Sequence, residues 1–264
     1  MKTLDITTTA VIRPDILDRT YGTFKEHCFK DYPVKNVIIN VDPVGVGDAD
    51  EMSSVARKHF PDSELHIRRP FVPNFAEAFM WTWKKANADY VFNLEDDWEC
   101  LYDVPVSNMI KFMEDHPDIG SIRLSLWESE SERVRAVTSS MRPYNFIPYN
   151  AEDGFFELLG EQKERLGVSG HPTLYRGDLI RVLRLLIDPR YNPEKFLRHA
   201  EQPQMVMTNW RVGVWIKPDS PAQIRDIGEA WRKQHGFLKA GGIEKGNKEW
   251  FLYHTKDEHK ELKQ

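Results

Sequence analysis

The chain has 264 residues and a formal net charge of -5, with 41% hydrophobic and 29% charged residues. That length admits one large domain, or one domain with an appended subdomain, and the balance is that of a globular chain with a sizeable core. The acidic charge argues against a protein that grips duplex nucleic acid by bulk electrostatics, two cysteines cannot form a disulfide framework, and no apolar run approaches the roughly 18 residues of a membrane span.

Residues 1–10 carry Lys2, Asp5 and a run of threonines, not the apolar core of a signal peptide, so the expected location is the cytoplasm. Residues 4–11 are rich in β-branched side chains and read as a strand. Arg13-Pro14-Asp15 opens a helix, where a first-turn proline is tolerated. Leu17, Tyr21, Phe24 and Cys28 share one of its faces. Residues 36–41 form a short apolar run ending at Asp42, as a buried parallel strand does. A helix follows over 50–60, with Met52, Val55, Ala56 and His59 on one side, then a strand over 64–68. Asn74 reads as a helix N-cap, with Glu77 placed to complete a capping box. Residues 89–94 read as a strand that runs straight into Glu95-Asp96-Asp97. Repeated strand–helix–strand units indicate a parallel sheet flanked by helices, and such sheets bind ligands outside the carboxyl ends of their strands. Asp42 and the acidic run both stand at such ends.

The second half is more mixed. Residues 119–127 read as one strand, 129–167 as loops and short helices, 171–176 as a strand, 178–187 as an apolar helix and 210–217 as a strand. From 222 on, a helix-like piece precedes a Gly- and Lys-rich stretch over 236–246, which reads as mobile or ordered by a ligand. Basic clusters at Arg68-Arg69 and across 225–248 leave a nucleic-acid acceptor open.

Four acids fall within five positions, at Glu95, Asp96, Asp97 and Glu99. Crowded carboxylates repel, and a hard divalent cation relieves that repulsion. Mg2+ and Mn2+ prefer oxygen ligands and often combine one or two carboxylates with substrate phosphates. A solvated acidic turn is the plain alternative, and the buried-looking strand just before the run weighs against it.

The pattern resembles the GT-A glycosyltransferases, above all their large inverting family with a DxD-type metal motif. The likeness rests on Thr7 to Asp15, on Asp42 at the second strand end, on Asn74 to Trp83, and on Ala88 to Asp97. It covers about residues 4–100 and thins beyond. It implies a GT-A-like, Rossmann-like α/β fold: a mainly parallel sheet flanked by helices, with a smaller mixed acceptor-side part. Residues 1–126 would form the nucleotide-sugar half and 127–264 the acceptor half of a single domain. The donor would be a nucleotide diphosphate-sugar, most simply a UDP-sugar, with Mn2+ or Mg2+. The resemblance places Glu95 and Asp97 at the outer DxD positions, with Glu where Asp is usual. The registers 96–97 and 97–99 stay open. His235 or His254 would add a metal ligand, His254 being the one carried forward. Thr9, Arg13, Asp42, Asn74, Asp96, Arg232 and Lys239 would line the donor. Glu201 would be the general base, with Gln202 standing where the family has a second acid and Glu152, Asp153 and Glu157 as rivals. The acceptor is a carbohydrate or, as in phage systems, a hydroxymethylated DNA base. The other classes left open are a sugar nucleotidyltransferase, disfavoured because residues 9–13 hold no glycine, and a non-catalytic nucleotide- or sugar-binding module. The segment from Asp226 to Arg232 is motif-like, but residue chemistry alone assigns it no role.

Overall fold

The computed structural model describes residues 1–127, 146–150, 154–160, 163, 167–216, 223–239 and 250–252. Its main sheet has nine strands in the order β3-β2-β1-β4-β10-β6-β11-β9-β8. The first four are β1 (Leu4–Ile12), β2 (Asn36–Gly45), β3 (Glu64–Arg68) and β4 (Tyr90–Asn93), all mutually parallel. Beyond them lie β6 (Ile119–Leu124), β8 (Phe146–Pro148), β9 (Gly154–Glu157), β10 (Thr173–Arg176) and β11 (Arg211–Ile216). There β6 and β11 are parallel to each other, and β8, β9 and β10 run against their neighbours. β6 belongs by position to residues 1–126 but sits between two strands of the second half, so one sheet spans that division.

Alternation along β2 sends its side chains to two cores. Val37 and Ile39 join one cluster with Leu17, Tyr21 and Phe24 of α1 (Pro14–His27) and Met52 and Ala56 of α2 (Ala49–His59). Met109, Ile110, Phe112 and Met113 of α4 (Val106–Asp115) join the same cluster. Ile38 joins the other, with Phe79 and Trp83 of α3 (Phe75–Lys85) and Leu179, Ile180 and Leu183 of α5 (Gly177–Leu186). The expected α1 face of Leu17, Tyr21, Phe24 and Cys28 is wholly buried, each large side chain contributing roughly 1.5–3 kcal/mol of burial.

Four elements depart from the sequence pattern. β2 runs through Asp42 instead of ending there. A bulge moves the pairing from Val11–Asp42 to Ile12–Gly45. Gly45 has φ +135°, and a Cβ there would fall 1.9 Å from the Ile12 carbonyl oxygen, so only glycine closes this turn of the backbone. The expected strand over 119–127 breaks at Ser125, whose N–H and hydroxyl both engage the Gln223 side chain. Past the break, β7 (Leu126–Trp127) leaves for a second sheet with β5 (Trp98–Cys100) and β12 (Ile224–Asp226). The stretch over 129–167 supplies β8 and β9 to the main sheet, strands too short to show a period. After 222 the chain forms β12 first and then α8 (Gly228–Gln234), followed by β13 (Phe237–Lys239), which pairs with β14 (Trp250–Leu252). Among the described residues no helix is long and apolar enough to cross a membrane.

Candidate active site

In the strand order 3-2-1-4, the connection from β1 leads to one side of the sheet and β4 lies on the other. The carboxyl ends of β1 and β4 therefore flank the topological switch point where open α/β sheets bind ligands. The acidic run leaves β4 at this point. Its first contacts are with the end of β1. The Asp96 carboxylate accepts from the Val11 N–H at 3.1 Å and, bidentately, from Arg13 Nε at 2.7 Å and Nη2 at 2.6 Å. The Thr20 hydroxyl donates to the Asp96 carbonyl at 2.7 Å. Asp96 and Arg13 are both only 2% exposed. Burial alone would lower the Arg13 pKa, but the charges of Asp96 and Asp97 outweigh it and raise it. Arg13 thus stays a fixed cation, and Asp96 faces the scaffold.

Glu99 is likewise committed. One oxygen accepts from Arg19 of α1 and the other from Arg225 of β12. Although burial pushes its pKa up, these two arginines bring it below the usual glutamate value. Asp97 lies between. Arg13 Nη2 reaches its Oδ2 at 2.9 Å and Arg232 Nη1 reaches the same oxygen at 3.5 Å. The Asp97 carbonyl accepts from the Ile227 N–H at 2.9 Å. Gly228 packs so close that a Cβ would fall 2.2 Å from Asp97 Oδ2. Asp226 caps this turn by accepting from the N–H groups of Gly228 and Glu229, and burial together with Asp97 raises its pKa. The motif-like segment 226–232 therefore has a structural role as the cover of Asp97.

Glu95, partly exposed, turns toward the Ser169–Gly170–His171 turn, where a Cβ on Gly170 would fall 2.6 Å from its Oε1. Asn93 donates to the Gly170 carbonyl at 3.0 Å, and Glu194 of α6 (Pro193–His199) accepts from the Gly170 N–H. His171 meets Arg123 through Nδ1 at 2.5 Å and packs on Trp98 with ring centroids 4.9 Å apart. Trp98 is a core residue of β5.

Asp42, on the other flank of β1, meets only neutral donors: the Asn40 amide at 2.8 Å and the Asn74 N–H at 3.2 Å. Burial raises its pKa to about 6. The Asn74 side chain caps α3 by accepting from the Glu77 N–H at 3.1 Å. The return half of the expected capping box does not form, because the Asn74 N–H is taken by Asp42 and Glu77 pairs with Arg68 at 3.0 Å. Arg69 engages Asp50 and Ser53 of α2. Thr8 is buried and accepts from the Tyr21 hydroxyl, whereas Thr9 is partly exposed opposite Asn40.

The structure thus brings Thr9, Arg13, Asp42, Asn74, Glu95, Asp96, Asp97 and Arg232 to one edge of the sheet. Glu201 is exposed in the first turn of α7 (Glu201–Thr208). His235 stacks on Trp231, with its Nδ1 at the Trp231 carbonyl. Glu157 pairs with Arg211 at 2.8 Å. His254, Glu152, Asp153 and the Lys239 side chain lie outside the described residues. The sequence reading left Asp226 without a role and missed Glu194 and the Arg19–Glu99–Arg225 bridge, whose partners are separated by 80 and 126 positions.

Among the described residues no group of three or more His, Cys, Asp or Glu could hold an ion by itself. Asp96, Asp97 and Glu99 all pair with arginines; an ion held by the outer acids Glu95 and Asp97 would have to displace arginine from Asp97 and be completed by other oxygens, such as those of a phosphate.

No protein-family model matches the sequence, and no curated protein does. Solved structures do. S. aureus TarS 1–349 in complex with UDP-GlcNAc superposes with a TM-score of 0.53 and 15% identity, over 84% of this chain and 58% of that one. S. aureus TarS gives 0.52 and 12%, over 85% of this chain and 36% of that one. The mannosyltransferase PcManGT from Pyrobaculum calidifontis, in complex with GDP-Man and Mn2+, gives 0.52 and 14%, over 88% and 60%. The chain thus spans between 36% and 60% of the length of these neighbours. At such identity the likeness is one of fold, and the fold is that of the GT-A glycosyltransferases: a mixed sheet of mainly parallel strands flanked by helices.

Proposed function

We propose that the chain transfers a glycosyl group, a hexose or a pentose, from a nucleotide diphosphate-sugar to an acceptor hydroxyl. The observation that carries this reading is the meeting of Asp96 and Asp97 with Arg13, on the flank of β1 opposite Asp42, at the switch point of the sheet, with Glu95 at the start of the same acidic run. A UDP-sugar is the simplest donor. Asp42, with Asn74 and Thr9 around it, accepts N–H or O–H groups of the nucleoside. Arg232 and Lys239 would pair with the diphosphate, and Arg13 offsets part of the negative charge of Asp96 and Asp97 at the floor of the site. Asp97 and Glu95, with His254, would hold Mn2+ or Mg2+, which when bound supplies Lewis-acid stabilisation of the departing diphosphate. Glu201 takes the proton from the acceptor hydroxyl, whose oxygen bonds the anomeric carbon as the bond to the diphosphate oxygen breaks, inverting the centre. The acceptor is a carbohydrate or a hydroxymethylated DNA base.

The test is release of nucleoside diphosphate from UDP- and GDP-sugars with panels of both acceptor classes. Wild type should turn over one donor. Glu201→Gln should lose about a hundredfold or more in kcat, the scale of a positioned general base, with the donor KM unchanged. Donor binding without turnover for every acceptor would favour the binding-module reading, in keeping with Gln202 at the place of a second acid.

A further inference from the structure

Asp97 is 8% exposed, and its outer oxygen is enclosed from three sides. Arg13 approaches from the end of β1, Arg232 from the last turn of α8, and the backbone of Gly228 from its first residue. No donor phosphate reaches that oxygen while α8 lies there. Arg13 is anchored bidentately by Asp96 and stays in place whatever happens at Asp97. Arg232 holds Asp97 at 3.5 Å, on a short helix whose neighbouring Trp231 stacks on His235 and Phe237 and lies under the Arg13 guanidinium. Arg13 Nη1 is buried against Gly228 with no hydrogen-bond acceptor among the described residues. A buried donor left unsatisfied is unfavourable by about 1–3 kcal/mol. An anion arriving where Gly228 now lies would satisfy it.

Resting on the donor site proposed above, we infer that Arg232 is an exchange residue. In the donor-free chain it is a counter-ion of Asp97. When the nucleotide diphosphate arrives with its divalent cation, Arg232 leaves Asp97 to the cation and pairs with the diphosphate. Asp97 already faces two guanidinium groups, so a lone cation has to compete with both of them for its oxygen. A diphosphate bound without a cation meets the Asp97 carboxylate. The two ligands therefore bind together, each favouring the other, a coupling typically worth about 5- to 150-fold in affinity.

The test is binding of Mn2+ to the full chain, read as loss of the free-ion electron paramagnetic resonance signal, alone and with UDP or GDP. Arg232→Gln should bind Mn2+ alone about tenfold tighter than wild type and bind the nucleotide–Mn2+ pair about tenfold weaker, a modest coupling on that scale. Arg232→Lys keeps the charge and should stay near wild type on both counts. Lys233→Gln, on the same helix but paired with Glu229 at 2.6 Å, should change neither. If Arg232→Gln leaves the affinity for Mn2+ alone unchanged while nucleotide–Mn2+ binding persists in wild type, the exchange is overturned and the donor site stands. If no form takes up Mn2+ even with nucleotide, the donor site and the exchange fall together.

Discussion

β2 and β4 flank β1, and each brings a buried carboxylate to the same edge of the sheet, but the two are neutralised in opposite ways. Asp96, after β4, is clasped by a guanidinium through two hydrogen bonds. Asp42, on β2, receives one side-chain amide and one backbone N–H, while Arg68 points its Nη1 at Asn40 and Glu77 instead. Burial raises the pKa of Asp42 to about 6, and burial raises that of Asp96 as well, against the pull of Arg13. The difference teaches that the density of acids in a sequence does not show which are available to a ligand. Counter-ions decide that, and they come from distant segments. Asp96 is used up within the fold, whereas Asp42 still needs donors, which a nucleoside can supply.

Arg13→Met should break this contrast most severely. It strands Asp96 as a buried charge without its partner, and such losses amount to about 3–5 kcal/mol. Urea unfolding would read it, and a change below about 1 kcal/mol would show that Asp96 is held by other means. The next effect concerns Asp42 and pH. Its folded pKa is raised above the ordinary 3.8 to about 6. The folded state therefore binds more protons than the unfolded state between these values, and stability falls as pH rises from about 4 to about 6. The fall should be on the order of 2 kcal/mol in wild type, and Asp42→Asn should flatten it. Nucleotide affinity should move the other way, strengthening as Asp42 ionises through about pH 6. The smallest effect is at the α3 cap. Asn74→Ala keeps the backbone N–H that meets Asp42 but loses the acceptor for the Glu77 N–H, about 1 kcal/mol of stability.

The first hundred residues were legible because their signals are local. Leu17, Tyr21, Phe24 and Cys28 repeat at helical spacing, Asn74 sits three positions before Glu77, and the acids follow an apolar run. These features predict α1, the α3 cap and an acidic end to β4, and the structure has all three. What escaped depends on partners far along the chain. The break at Ser125 is set by Gln223, 98 positions later. The bulge at Gly45 is set by the Ile12 carbonyl. The cover over Asp97 needs residues 226–232, whose spacing looked motif-like but carried no period. Arg13 stood out beside Pro14, yet the Asp96 that fixes it lies 83 positions away. β8 and β9 are too short to declare themselves.

The central claim is that the acidic end of β4 receives the donor diphosphate. Thermal unfolding of wild type and Asp97→Asn with UDP, GDP or CDP, each with and without Mn2+, tests it most directly. A ligand at 100 times its Kd adds about 2.7 kcal/mol, or roughly 5–10 °C for a chain of this size. The account predicts such a shift in wild type with one nucleotide, only when Mn2+ is present, and its loss in Asp97→Asn. An equal shift in both proteins, or none with any nucleotide, would contradict it.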